Sequence, residues 1–96
     1  MKKRLFYIAT ALILSAVPAQ AECYVDYKAK KDRPLKLHYG VMQVPDNACG
    51  SRRAAAAAIA PRLASAGWTL LSVVSIFDRD GLAKRKKSAG SYFLRF

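Results

Sequence analysis

The sequence predicts an α+β domain of order ββαββ, in which a four-stranded, mostly antiparallel sheet carries one helix packed on one face. Residues 23–29 and 35–44 alternate apolar and polar side chains, which is typical of a hairpin of half-buried strands. Residues 52–66 are rich in alanine, the strongest helix former. Residues 68–77 and 91–96 carry many branched or aromatic side chains, which favour two further strands.

Length and composition limit the classes of protein. A chain of 96 residues has room for one domain and is far too short for a dinucleotide-binding or barrel enzyme. Because 53% of the residues are hydrophobic and 24% are charged, the composition is not that of a disordered chain. A core this small is marginal, so a covalent cross-link or an oligomer is expected.

The first residues have the layout of an export signal. Three cations precede an uncharged apolar run, residues 5–17, and small side chains precede the bond between Ala21 and Glu22. The run is shorter than the ~20 residues of a spanning helix, which disfavours an uncleaved anchor. We therefore predict a cleaved signal peptide over residues 1–21 and a single domain over 22–96. The protein is then periplasmic or secreted, with no transmembrane span after cleavage.

Export gives the two cysteines an oxidising environment. Cys23 and Cys49 are the only cysteines, so a structural disulfide between them is expected. The predicted hairpin supports this pairing, because it brings the start of its first strand close to the chain that follows its second. A redox-active pair normally has a closer spacing, and one histidine with two cysteines is a poor zinc set.

The alternation also predicts which side chains face the core. Cys23, Val25 and Tyr27 share one face of the first strand. In the second strand the inner face is predicted to carry Leu35, Leu37, Tyr39 and Val41, with His38 on the outer face.

The helix has recognisable ends. Ser51 is a favourable N-cap and Gly67 a favourable C-terminal stop, while Ile59 and Leu63 lie four apart on the predicted buried stripe. Pro61 is expected to kink this helix or to split it.

The last third of the chain is predicted to return to the sheet. Residues 68–77 are apolar on both faces, which predicts a central strand. Residues 78–81 form a turn, residues 84–90 a mobile basic loop, and residues 91–96 the fourth strand.

The junction Gly67-Trp68-Thr69-Leu70 follows the helix directly and leads into the third strand. Over residues 51–96 the chain resembles small βαββ domains of unknown function that share a helix–Gly-Trp-x-Leu–strand junction. As a whole, it also resembles short secreted bacterial proteins that are uncharacterised. The resemblance implies a fold and brings no activity or functional residues.

Few residues offer catalytic chemistry. His38 is the single histidine, and a lone imidazole is more often a packing or surface residue than a base. Asp78 and Asp80 fit a solvent-exposed turn better than a calcium site or a pair of catalytic carboxylates, since too few further ligands accompany them. We therefore predict no enzymatic activity, no cofactor and no metal site.

The charge is the unusual feature of the composition. The chain holds 17 Lys and Arg against 6 Asp and Glu, a net charge of +11. Two clusters are predicted to bind anions: Lys28, Lys30, Lys31, Arg33 and Lys36, and then Arg79, Lys84, Arg85, Lys86 and Lys87. Tyr24, Tyr27 and Tyr39 lie among them and are able to stack on bases or sugars.

These features predict an exported binding or accessory protein. Its expected partner is an anionic envelope polymer, a lipid headgroup or an acidic protein, whereas nucleic acid is an uncommon partner outside the cytoplasm. An alternative is a secreted effector or inhibitor that inserts residues 84–87 into an acidic site, and a weaker one is a minimal enzyme. A basic surface that serves solubility alone also fits the composition. A homodimer is a further expectation, with Tyr24 and Met42 on a sheet face that one helix leaves uncovered.

Overall fold

The computed structural model describes residues 23–96, so the predicted signal peptide and its cleavage site between Ala21 and Glu22 lie outside the described residues. Three strands form one antiparallel sheet: β1 (Cys23–Lys31), β2 (Lys36–Val44) and β3 (Thr69–Phe77). Two helices accompany them: α1 (Arg52–Ser65) and α2 (Ala83–Ala89). Short 3₁₀ turns cover Asp46–Ala48, Arg79–Gly81 and Gly90–Tyr92.

The predicted ββαββ fold with a four-stranded sheet and one helix is therefore wrong. In the described part of the chain, residues 91–96 form no strand and make a single ladder contact, an isolated parallel bridge between Phe93 and Val41. Gly90 and Leu94 both have positive φ angles, 55° and 56°, which interrupt an extended backbone. The predicted mobile loop over residues 84–90 is instead mostly the second helix.

The strand order also differs from the prediction. The order is β2-β1-β3, so β1 is central and β3 lies at an edge. The register between β1 and β3 shifts twice, which leaves Leu71 and Val74 without a partner on β1. The two residues at these bulges are apolar but partly exposed, Leu71 to 50% and Val74 to 37%. Their presence makes β3 apolar on both sides although it is an edge strand.

The predicted hairpin and helix are confirmed. β1 and β2 pair from Cys23 opposite Val44 to Lys31 opposite Lys36. The Ser51 side chain accepts a hydrogen bond of 3.0 Å from the Ala54 amide at the start of α1. At the other end, the backbone amide of Trp68 donates to the Leu63 carbonyl and Gly67 has a φ of 87°, which is a Schellman stop.

Helix α1 runs through Pro61 without splitting. Its buried side chains, Ala55, Ile59 and Leu63, pack on one face of the sheet. The core on this face adds Val25, Tyr27, Met42, Val44 and Trp68, among others.

Helix α2 gives the opposite face a smaller core, made of Tyr24, Val41 and Ala89 with Tyr39, Phe77, Leu82 and Phe93 around them. The sheet therefore has a helix on each side. Tyr24 and Met42, predicted to share an uncovered dimer face, are both buried and belong to different cores.

A disulfide joins Cys23 to Cys49, as predicted. It ties the first residue of β1 to the segment that leads into α1, so it closes the end of the sheet opposite the hairpin turn. Within residues 23–96, none of the helices has the length and apolar character needed to cross a membrane.

Candidate anion-binding surface

The first basic cluster lies at the turn end of the hairpin, but its members divide between the two faces of the sheet. Lys28 pairs with Tyr39 and Lys30 with Leu37, and these four side chains share the face on which α2 packs. Lys31 pairs with Lys36, and these two lie on the α1 side. Arg33 lies in the exposed turn between the strands.

Two cations of this cluster have partners of their own. The Lys31 ammonium lies 4.5 Å from the centroid of the Trp68 ring, a cation–π contact. The Lys30 ammonium lies 3.3 Å from the Asp32 carboxylate in a largely exposed pair. Pairs of this kind are weak in water, so Lys30 keeps most of its ability to attract other anions.

The second cluster is less uniform than its sequence suggests. Lys84, Lys86 and Lys87 are exposed on α2. Arg79 lies in the 3₁₀ turn that follows β3, at the end of the sheet away from the hairpin turn. Arg85 points inward, and its side chain is only 18% exposed, so its guanidinium is less accessible to a ligand than the three lysines.

Arg85 is held by a buried carboxylate. Its Nε donates a hydrogen bond of 3.0 Å to Asp26, whose side chain is 6% exposed, and the guanidinium lies 3.8 Å from the Phe77 ring centroid. Asp26 also accepts hydrogen bonds from the hydroxyls of Ser75, at 2.6 Å, and Tyr39, at 2.7 Å. This network attaches α2 to the central strand.

The network also fixes the protonation of its members. Burial alone raises the pKa of Asp26, but the hydrogen bonds from Ser75, Tyr39 and Arg85 together outweigh it, and the pKa lies below its ordinary value. Burial, with the hydrogen bond to Asp26, raises the pKa of Tyr39 to about 12. At neutral pH the carboxylate is charged and the phenol is neutral.

Tyr39 is where the two clusters meet. It lines a groove of about 330 Å³ together with Lys28, Leu37 and Leu71. It also lines a second surface recess with Lys84, Arg85 and Ser88. Tyr39 thus borders both recesses, with Lys28 in one and Lys84 in the other. We call these three polar residues (Lys28, Tyr39 and Lys84) the Tyr39 surface, which carries a cation from each cluster.

Of the three tyrosines proposed for stacking, only Tyr39 is placed to meet a ligand. Tyr24 is 5% exposed and Tyr27 is fully buried. The predicted inner position of Leu35 and Leu37 is wrong, since these side chains are 63% and 64% exposed. The sequence carries no signal that Tyr39 lies between the two clusters, because residues 39 and 84 are distant in sequence.

The predicted outer position of His38 is wrong. His38 pairs with Ala29, so it lies on the α1 face, where it is 8% exposed. Its ring stacks on Tyr92 at a centroid distance of 3.7 Å and meets the edge of Trp68 at 4.3 Å. Its Nε2 lies 2.9 Å from the Tyr27 hydroxyl, while Nδ1 is buried and has no hydrogen-bond partner among residues 23–96.

This surrounding lowers the proton affinity of His38. Burial lowers the pKa of the imidazole, and the positive charges of Arg95 and Lys31 lower it further. The aromatic rings around it form a packed cluster that joins β2 to the last residues of the chain. Within residues 23–96, the structure gathers no group of three His, Cys, Asp or Glu side chains able to hold a metal ion.

No family model, curated protein or solved structure matches the chain. The resemblance carried by the Gly67-Trp68-Thr69-Leu70 junction thus stays a prediction.

Proposed function

We propose that this is an exported, non-enzymatic binding or accessory protein whose Tyr39 surface receives an anionic partner, either an envelope component or an acidic protein. The observation that carries the proposal is the position of Lys28 and Lys84 on two sides of Tyr39. Cations from two distant parts of the sequence thereby act on the same ligand. A surface of one sign concentrates counter-ions and speeds their encounter with the protein.

Export is part of the same proposal. The disulfide and the absence of a membrane-spanning helix within residues 23–96 are compatible with a location outside the cytoplasm. If export occurs as proposed, the intact mass of the native protein corresponds to a chain that begins at Glu22. A native chain that retains Met1 would contradict it.

The loop-insertion alternative has less support. Residues 84–87 belong to helix α2, and Arg85 is turned into the network with Asp26. A helix held in this way offers single lysines to a partner, and it lacks the protruding shape of an inhibitory loop.

The test compares two double variants of the purified protein with equal changes of charge. Lys28→Gln/Lys84→Gln removes the two cations beside Tyr39. Arg52→Gln/Arg53→Gln removes two exposed cations at the start of α1, on the other side of the sheet. The probe is soluble polyphosphate, titrated at low and at high salt.

We expect the first variant to bind polyphosphate about tenfold more weakly and the second to lose no more than about twofold. Wild-type binding should weaken steeply with salt, since the charges involved are exposed and screened. Equal losses in both variants would show that net charge alone attracts the polymer. No binding by the wild-type protein would also reject the proposal.

A further inference from the structure

The hairpin end combines exposed leucines with exposed cations. Leu35 is 63% and Leu37 64% exposed, and every residue from 32 to 37 is exposed. Leu71, 50% exposed, lies across the sheet on the bulged edge strand and lines the same groove as Leu37. Lys28 and Lys30 share the face of the sheet that carries Leu37, while Arg33 and Lys36 are close to Leu35 along the chain.

The leucines require an explanation that charge does not supply. A soluble polyanion attracts the lysines but offers nothing apolar to the three leucines. In water these side chains gain nothing from exposure, whereas removing a leucine from water is strongly favourable. The partner that fits this end of the protein therefore has an apolar layer beneath a negatively charged one.

From this arrangement we infer that the hairpin end, defined as Lys28, Lys30 and residues 33–37 with Leu71, docks on the surface of an anionic lipid bilayer. The inference rests on the proposed function and names its partner. The leucines would enter the boundary between headgroups and acyl chains, while the lysines and Arg33 remain at the level of the phosphates. Lysine stems suit this position because they are apolar up to the ammonium.

A protein partner fits this surface less well. The cores of protein interfaces are depleted in lysine, and their energetically dominant residues are mainly Trp, Tyr and Arg. The hairpin end has the opposite composition, with isolated leucines between lysines. Tyr39, which lines the groove beside Leu37, donates a hydrogen bond of 2.7 Å to Asp26 and is thereby held in place.

The test measures the binding of the purified protein to phosphatidylcholine vesicles with and without phosphatidylglycerol, by co-sedimentation. The variant Leu35→Gln/Leu37→Gln removes two apolar side chains that are mostly exposed, so it is expected to fold normally. The control is Leu94→Gln, which changes a leucine that is 43% exposed beside Val41, away from the hairpin turn. Polyphosphate binding is measured for all variants.

We expect the wild-type protein to bind the anionic vesicles and not the neutral ones. Leu35→Gln/Leu37→Gln should bind the anionic vesicles about tenfold more weakly. Its polyphosphate affinity should stay unchanged, and Leu94→Gln should match wild type in both assays. Unchanged vesicle binding by the double variant would overturn the inference, because charge alone would then account for it.

Other results separate the two proposals. Polyphosphate binding without vesicle binding would reject the bilayer and leave the anion-binding surface intact. If the wild-type protein binds neither polyphosphate nor vesicles, the proposed function is rejected as well. If light scattering shows a wild-type dimer that Leu35→Gln/Leu37→Gln converts to a monomer, a second copy covers the leucines and the bilayer is rejected.

Discussion

Asp26 is an acidic side chain in the interior of a basic protein. Its three donors, Tyr39, Ser75 and Arg85, come from β2, β3 and α2, so one carboxylate connects both edge strands and a helix to the central strand. A buried charge is tolerated only when it is paired and hydrogen-bonded, and this one is both.

The substitution Asp26→Asn should lower the free energy of unfolding by about 3 kcal/mol, because it leaves the largely buried Arg85 without its counter-charge. The control is Asp32→Asn, which breaks the exposed pair with Lys30 and should cost less than about 1 kcal/mol. Urea denaturation at pH 7 measures both. Equal effects of the two substitutions would refute the importance of the buried network.

The same carboxylate predicts a loss of stability in acid. Because the pKa of Asp26 is lowered in the folded state, its contribution is present above the unfolded value of about 4 and is lost as the pH falls through the folded pKa.

His38 makes the stability of the protein depend on pH in a second, higher pH range. Its pKa is lowered in the folded state, so the unfolded chain binds the proton more tightly. The protein is therefore most stable above the unfolded value of about 6.5, and it loses stability as the pH falls from there towards the lowered pKa. The charged groups that act on the ring, Lys31 and Arg95, are cations, which strengthens this trend.

We expect the melting temperature of the wild-type protein to fall between pH 7 and pH 5, and that of His38→Phe to change much less over this range. The variant keeps a ring beside Tyr92 but has no group that titrates there. Because His38 is the only histidine in the sequence, no other imidazole obscures the comparison. Parallel pH profiles for the two proteins would contradict the assignment.

At the scale of elements, the β1–β2 pairing depends on one glycine. A Cβ at Gly40 would overlap the hydroxyl and ring atoms of Tyr27, its cross-strand partner. The Tyr27 ring thus occupies the space above Gly40, and from there its hydroxyl reaches His38.

Gly40→Ala should displace the Tyr27 ring and cost about 1–3 kcal/mol of stability, the usual range for overpacking. Gly50→Ala is the matched control, since a Cβ there meets nothing within 4 Å. Thermal unfolding of the two variants measures the difference. A Gly40→Ala protein as stable as the control would show that Tyr27 moves without penalty.

Elements with local signals could be predicted from the sequence. Ser51 and Gly67 mark the ends of α1 because capping depends on neighbouring backbone groups. Helix α2 replaces the predicted mobile loop, because a run of lysines is also typical of a loop exposed to solvent. Lysine, arginine and alanine are nevertheless good helix formers, and Arg85 and Ala89 lie four apart on its buried side.

The errors in the sheet have a different cause. In β2 both sets of alternating side chains contain buried residues, for example Val41 on one face and Met42 on the other. Periodicity alone then does not identify the face that meets α1, which is why the predicted outer position of His38 is wrong. The bulges at Leu71 and Val74 depend on tertiary pairing, so the sequence carries no local signal for them.

At the scale of the whole molecule, the disulfide contributes a large part of the stability. It closes a loop of 26 residues, which on the chain-entropy model is worth roughly 3.5 kcal/mol. For a domain of this size that corresponds to a fall in melting temperature of at least about 15 °C on reduction. Calorimetry with and without reductant measures it, and equal melting temperatures would refute the structural role of the bond.

The central claim is that two basic segments, distant in sequence, form one anion-binding surface around Tyr39. Amide chemical shifts of the ¹⁵N-labelled protein, followed during titration with polyphosphate, test this residue by residue. We expect the largest chemical-shift changes at Lys28, Tyr39 and Lys84, with the amides of helix α1 nearly unaffected. Changes that are largest on α1, or spread evenly over the lysines and arginines, would contradict it.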